Sequence, residues 1–241
     1  MESYQEFLNR IHGFEKPELH FAGTFFNGNP SLARKIRPDN TFCDFFGDTV
    51  VFDLDEKVKD KLSECLNKLY VEVPECFCER LHTDTFHMTL HDLSNSERLT
   101  GVAADVFVNE LKIRELSKGM KVLESIKMRS SCIFNMVNTS LVLGLYPTDE
   151  KEYKKLIELY QAFDSVKKLE YPLTPHITLA YYNVNGFEET AAKKLEKLVY
   201  WLNTSGAFIP FEVELKYEAL YYQKFINMNE YTNVLAICKN R

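Results

Sequence analysis

The amino-acid sequence predicts interleaved helices and strands, α/β or α+β in class, organised around an internal repeat. Three observations predict it. Hydrophobic residues switch between alternating and helical spacing along the chain. The order strand, helix, link, strand occurs twice, over about residues 46–95 and again over about 139–185. Each copy ends on the same spelling, His-x-Thr-Leu, at 87–90 and at 176–179, roughly 35 residues after its opening strand.

In chain order, residues 1–45 read as an N-terminal extension, with an amphipathic helix around 2–11 followed by the turn-rich stretches FNGNP and RPDN. The repeat-bearing domain spans 46–241. Its first strand is DTVVFDL at 48–54, marked by β-branched and aromatic residues. DEKVKDKLSECLNKLYVEV then places Val58, Leu62, Leu66 and Leu69 at helical spacing behind an acidic first turn. A link containing Pro and Cys leads to FHMTLHDL at 86–93. Between the copies, ERLTGVAADVFVNELKIREL predicts a helix and LESIKMRSSCIFNM a strand. The second copy opens with the strand TSLVLGLY at 139–146. Its helix, PTDEKEYKKLIELYQAF, carries Pro and acids at its start and Tyr153, Leu156, Ile157 and Tyr160 on one face. The link DSVKKLEYPLT leads to PHITLAYY at 175–182. FEETAAKKLEKLVYWL is a further helix, and FIPFEVELKYEALYY with TNVLAICK supplies closing strands.

Composition narrows the function classes. At 241 residues, 45% hydrophobic and 27% charged, the chain belongs with soluble globular proteins and fits one large domain or two small lobes. Its start lacks the features of a signal peptide and no apolar run approaches membrane-spanning length, so the expectation is a cytoplasmic monomer with no membrane partner. A net charge of −6, with basic residues only in short clusters such as ARKIR and KMR, argues against long duplex nucleic acid. A small anionic ligand or an oligonucleotide end stays open, because a pocket can be positive on an acidic protein. The six cysteines include no C-x-x-C and read as reduced, mostly buried thiols. No cofactor and no metal is expected.

The repeated motif carries the chemistry. Side chains alternate along a strand, so His87, Thr89 and His91 share one face and Phe86, Met88 and Leu90 the other. The same parity groups His176, Thr178, Ala180 and Tyr182. If a twofold axis relates the halves, two imidazole–hydroxyl pairs converge on one cleft. That set suits acid–base cleavage at phosphorus: one neutral imidazole takes a proton, one imidazolium gives one, and hydroxyls hold the phosphoryl oxygens. A lone His-x-Thr is commonly an ordinary surface or core histidine; two in matching units are not expected by accident. Two histidines with hydroxyl neighbours and no carboxylate on the same strand face do not make a metal site.

HMTL at 87–90 and HITL at 176–179, inside two strand–helix–strand units, resemble the 2H phosphoesterases, the superfamily of 2′-5′ RNA ligase-like proteins and cyclic phosphodiesterases. TVVFDLDEKVKDKL is similar to the opening strand and helix of the ligase-like members, and the likeness covers roughly residues 46–240. It implies an α+β, bilobal fold in which two pseudo-twofold-related lobes with antiparallel-rich sheets flank a cleft, helices outside. It also implies metal-independent hydrolysis of 2′,3′-cyclic or 2′-5′ phosphodiesters in small nucleotides or oligonucleotide ends, with catalysis by His87 and His176 and phosphate binding by Thr89 and Thr178. RNA ligation in the same cleft, or nucleotide binding without turnover, are the rival readings. Ligase-like members often carry a basic residue after the second motif, where this chain has Tyr181, and an aromatic after the first, where it has Asp92. Lys127, Arg129 and Arg80 are therefore candidates for the phosphate cation, with His91 and Tyr182 as further substrate contacts.

Overall fold

Of the 241 residues, the computed structural model describes 2–120 and 124–238. The chain runs α1 (Tyr4–Phe14), β1 (Phe25–Phe26), β2 (Phe46–Asp53), α2 (Glu56–Glu72), β3 (His87–Ser96), α3 (Ala103–Gly119) and β4 (Ile126–Met136). It continues through β5 (Ser140–Pro147), α4 (Glu150–Ala162), β6 (His176–Tyr181), β7 (Phe187–Glu188), α5 (Glu189–Thr204), β8 (Glu212–Leu215), β9 (Leu220–Asn227) and β10 (Glu230–Ala236). Leu123 and Lys239, which bound two of the expected strand runs, lie outside the described residues.

Eight strands form one antiparallel sheet in the order β10-β9-β2-β3-β6-β5-β4-β8. The order reads the same outward from its centre. The first half is β3-β2-β9-β10 and the second β6-β5-β4-β8, each holding one complete strand–helix–strand repeat. The architecture is thus the bilobal α+β arrangement that the resemblance implies, with the two lobe sheets joined through a single residue pair, Met88 with Ile177. The repeat extends to its helix starts. Both copies spell Asp-Glu-Lys there, and the Asp55 and Asp149 carboxylates accept the backbone N–H groups of Val58 and Glu152.

Helices α2 and α4 bury the stripes that their sequences predict, Val58, Leu62, Leu66 and Leu69 in one and Tyr153, Leu156 and Ile157 in the other. Against them lie Met88, Leu90, Ile177 and Leu179 of the central strands in one continuous core. The N-terminal extension joins that core. Phe7 and Ile11 are fully buried, Phe7 packs on Tyr153, and Tyr4 donates to the Pro147 carbonyl. Strand β2 begins at Phe46, but packing into the core begins well before it. The six cysteines are free thiols, and burial pushes those of Cys76 and Cys78 up to about 12. Among the described residues no helix is long and apolar enough to cross a membrane.

Candidate active site

The two motif strands meet where the lobes join. Continuing the Met88–Ile177 register by one residue each way sets His87 across from Thr178 and Thr89 across from His176. Met88 and Ile177 turn into the core, so all four polar side chains occupy the opposite face. Diagonal neighbours such as the two histidines sit about 7–8 Å apart in a regular sheet. All four line one cavity of about 840 Å³.

Each imidazole is held in the same way. His87 Nδ1 lies 2.7 Å from the Thr85 carbonyl oxygen, and His176 Nδ1 lies 2.7 Å from that of Thr174. A carbonyl only accepts, so Nδ1 carries the proton and donates it. The lone pair of each neutral ring is then on Nε2, which has no protein partner among the described residues. Burial pushes His87 down to about 4, against the opposing pull of the Thr85 bond and the Asp53 and Asp92 charges. Burial lowers His176 as well, opposed by its Thr174 bond and Asp92 and reinforced by Lys35. Burial therefore favours the neutral form of both rings, and a negative charge brought into the cavity would favour protonation.

Beyond each Thr-Leu the structure departs from simple alternation. Val50 pairs with His91 but Val51 with Thr89, and Leu141 pairs with Ala180 but Val142 with Thr178. Leu90 and Leu179 are the extra residues of two β-bulges at the same step of the two motifs, and a bulge reverses which face the following residues meet. His91 is consequently turned out of the cleft. It is 1% exposed, its ring centre lies 5.0 Å from that of Tyr160 in a tilted contact, and its Nδ1 meets the Asp92 carbonyl oxygen. Tyr182 is likewise buried among Phe26, Phe77 and Phe187 and offers no platform for a base. Asp92 and Tyr181 take their places on the cavity wall. The cleft thus does hold a carboxylate, contrary to expectation, and Asp92 accepts a hydrogen bond from the Tyr171 hydroxyl at 2.9 Å. Among the described residues no group of three His, Cys, Asp or Glu side chains gathers as a metal cage.

The expected cations are elsewhere. Lys127 and Arg129 are exposed on β4, two strands from His176, opposite Glu214 and Glu212 of the edge strand, where opposite charges pair across a sheet. Arg80 lies over the Tyr70 ring. The N-terminal extension instead delivers Lys35, whose ammonium stands 5.2 Å from the ring centres of both Phe45 and Tyr181. Burial holds its pKa below the ordinary lysine value, with Asp92 opposing that shift and Arg34 adding to it. Arg34, Lys167 and Lys168 complete a basic rim against Asp92 and Glu170. Lys35 occurs in the ARKIR cluster but at no motif spacing, so only the path of the extension reveals it. Thr85 and Thr174 were legible: the repeated spelling is Thr-x-His-x-Thr-Leu.

No protein-family profile matches the chain. No curated protein sequence matches it either. Among solved structures, a conserved protein of unknown function from Agrobacterium tumefaciens superposes with a TM-score of 0.61 at 16% identity, over 88% of this chain and 94% of that one. A protein from Thermus thermophilus follows at 0.47 and 15% identity, over 78% and 94%. E. coli LigT complexed with 3′-AMP gives 0.49 and 14% identity, over 80% and 97%. Likeness at such identity is one of fold, and with the Agrobacterium protein it takes in nearly all of both chains.

Proposed function

We propose that the chain is a 2H-type phosphodiesterase that hydrolyses 2′,3′-cyclic or 2′-5′ phosphodiester bonds of small nucleotides or oligonucleotide ends, with His87 and His176 as acid and base. The observation that carries this reading is the pair of Thr-x-His-x-Thr-Leu strands, each with Nδ1 tied to a carbonyl two residues back and Nε2 left for the same cavity. One Nε2 takes the proton of an attacking water as its oxygen bonds to phosphorus. The other, protonated once the phosphate anion is bound, gives its proton to the departing ribose oxygen as the P–O bond breaks. Thr89, Thr178 and Lys35 hold the non-bridging oxygens, where charge builds in the transition state. The roles of the two histidines exchange when the reaction runs backwards.

The test is turnover of a panel of 2′,3′-cyclic mononucleotides and 2′-5′-linked dinucleotides after exhaustive dialysis against EDTA. Hydrolysis of at least one substrate class by the dialysed protein is the expected result. Activity abolished by chelation and restored by a divalent ion, with His87→Ala losing that ion, would overturn the acid–base reading.

A further inference from the structure

A second cavity, of about 460 Å³, opens on the other side of His87. It shares Thr85, Phe86, His87 and Tyr231 with the main cleft. Tyr231 stands edge-on to the His87 ring at 5.1 Å, so the histidine and the tyrosine form the wall between the two spaces. At the matching place in the other lobe the described residues fill the space. There the N-terminal extension lies on the sheet, with Glu15 against Gly144, Phe14 against Phe134 and His12 against Tyr146. The cleft is therefore lopsided, closed beyond His176 and open beyond His87.

The lining of this cavity is rich in acceptors. Gln223 is 8% exposed and its buried Oε1 has no hydrogen-bond partner, while its Nε2 donates one of its two hydrogens to Asn233 Oδ1 at 2.7 Å. A buried amide oxygen left without a donor is costly unless a ligand supplies one. Asp84 and Glu230 add carboxylates at the mouth, and Asp53 is held by Lys59 at 2.8 Å. Lys224, the cation that borders it, is engaged by Glu110. Such a wall repels a second phosphate and accepts hydrogen bonds from amines and hydroxyls.

Building on the proposed phosphodiesterase activity, we infer that the cavity beyond His87 is a second substrate subsite for an uncharged, donor-bearing group, such as a nucleoside whose base carries an exocyclic amine. The preferred substrate is then an open phosphodiester with an organic group on each side of phosphorus, its main part in the 840 Å³ cleft and its second group in the 460 Å³ cavity. A cyclic mononucleotide leaves the second space empty. His87 faces the ester oxygen that joins phosphorus to the second group.

Two measurements test this. In the first, 2′-5′-linked adenylyl-adenosine and 2′,3′-cyclic AMP are compared as substrates of the wild-type protein, of Gln223→Met and of Asn233→Phe, the last filling the cavity from an exposed position. The ratio of kcat/KM for the dinucleotide to that for the cyclic nucleotide is expected to fall tenfold or more in both variants, and an unchanged ratio in both overturns the inference. In the second, adenosine alone is titrated by NMR into the wild type, His176→Ala and Gln223→Met. Weakened binding in Gln223→Met but not in His176→Ala upholds the subsite even if no phosphodiester is turned over. Equal binding by Gln223→Met and the wild type overturns it.

Discussion

At the scale of single residues, the proposed chemistry falls to side chains whose freedom the backbone has removed. The Thr85 and Thr174 carbonyls fix the tautomers of His87 and His176, so that no side chain is needed behind either ring. Replacing either histidine by alanine is expected to lower hydrolytic turnover by about a hundredfold to ten-thousandfold, the usual cost of losing a general acid or base. Near-full turnover by either variant on the best substrate would remove that residue from the chemistry. Thr89→Val and Thr178→Val each delete one bond to a charged oxygen, and Lys35→Met deletes the cleft cation. Each is expected to lower kcat/KM by an amount equivalent to roughly 1.5–3 kcal/mol. For Lys35→Met the loss should weigh on anionic substrates and shrink with rising salt if the ammonium acts through its charge; a variant with wild-type kcat/KM would return the search for the phosphate cation to Arg34, Lys167 and Lys168.

Between elements, the N-terminal extension decides the shape of the cleft. It brings Lys35 to one wall and presses Glu15 onto Gly144, which pairs with His176 across the sheet. A Cβ at residue 144 would stand 2.1 Å from Glu15 Oε1, so glycine is needed for this close approach. Neither Glu15 oxygen has a hydrogen-bond partner, and burial pushes the carboxyl up to about 7. A native state that holds a proton more tightly than the unfolded chain gains stability below the ordinary carboxyl pKa near 4.5 and loses it as pH rises through about 7. Glu15→Gln, which stays neutral, is thus expected to raise Tm at pH 8 and leave it nearly unchanged at pH 4.5. Thermal melts of both proteins at the two pH values check this; an equal shift at both would show that the carboxyl does not titrate on unfolding.

At the scale of the whole molecule, two lobes of like topology place two lowered imidazoles in one cavity of an acidic protein. The kcat/KM profile reports the free enzyme and should be bell-shaped, with limbs that belong to the coupled pair. Because burial lowers both rings, with His87 pushed to about 4, the optimum is expected on the acid side of the ordinary histidine value of 6.5. An optimum above pH 8 would mean that some other group carries the proton. The same depressed pKa is expected to cost stability in acid: the contribution of His87 is fully present above about 6.5 and is lost as pH falls toward 4.

Much of this was legible in the sequence because it depends on neighbours along the chain. Helical spacing in α2 and α4 and the doubled His-x-Thr-Leu are local patterns, and they were enough to predict the internal repeat and the two histidine–threonine strands. What depends on a neighbouring strand was not legible. Strict alternation puts His91 and Tyr182 beside the motif histidines, whereas the bulges at Leu90 and Leu179 hand those places to Asp92 and Tyr181, and a bulge is a property of the pairing of two strands. Nor does any local pattern bring Lys35 to a cavity built some fifty residues and more further along the chain. Residue type and periodicity determined which groups this protein can offer its cleft; register and the packing of the extension, which are settled only when distant segments meet, decided which of them line it.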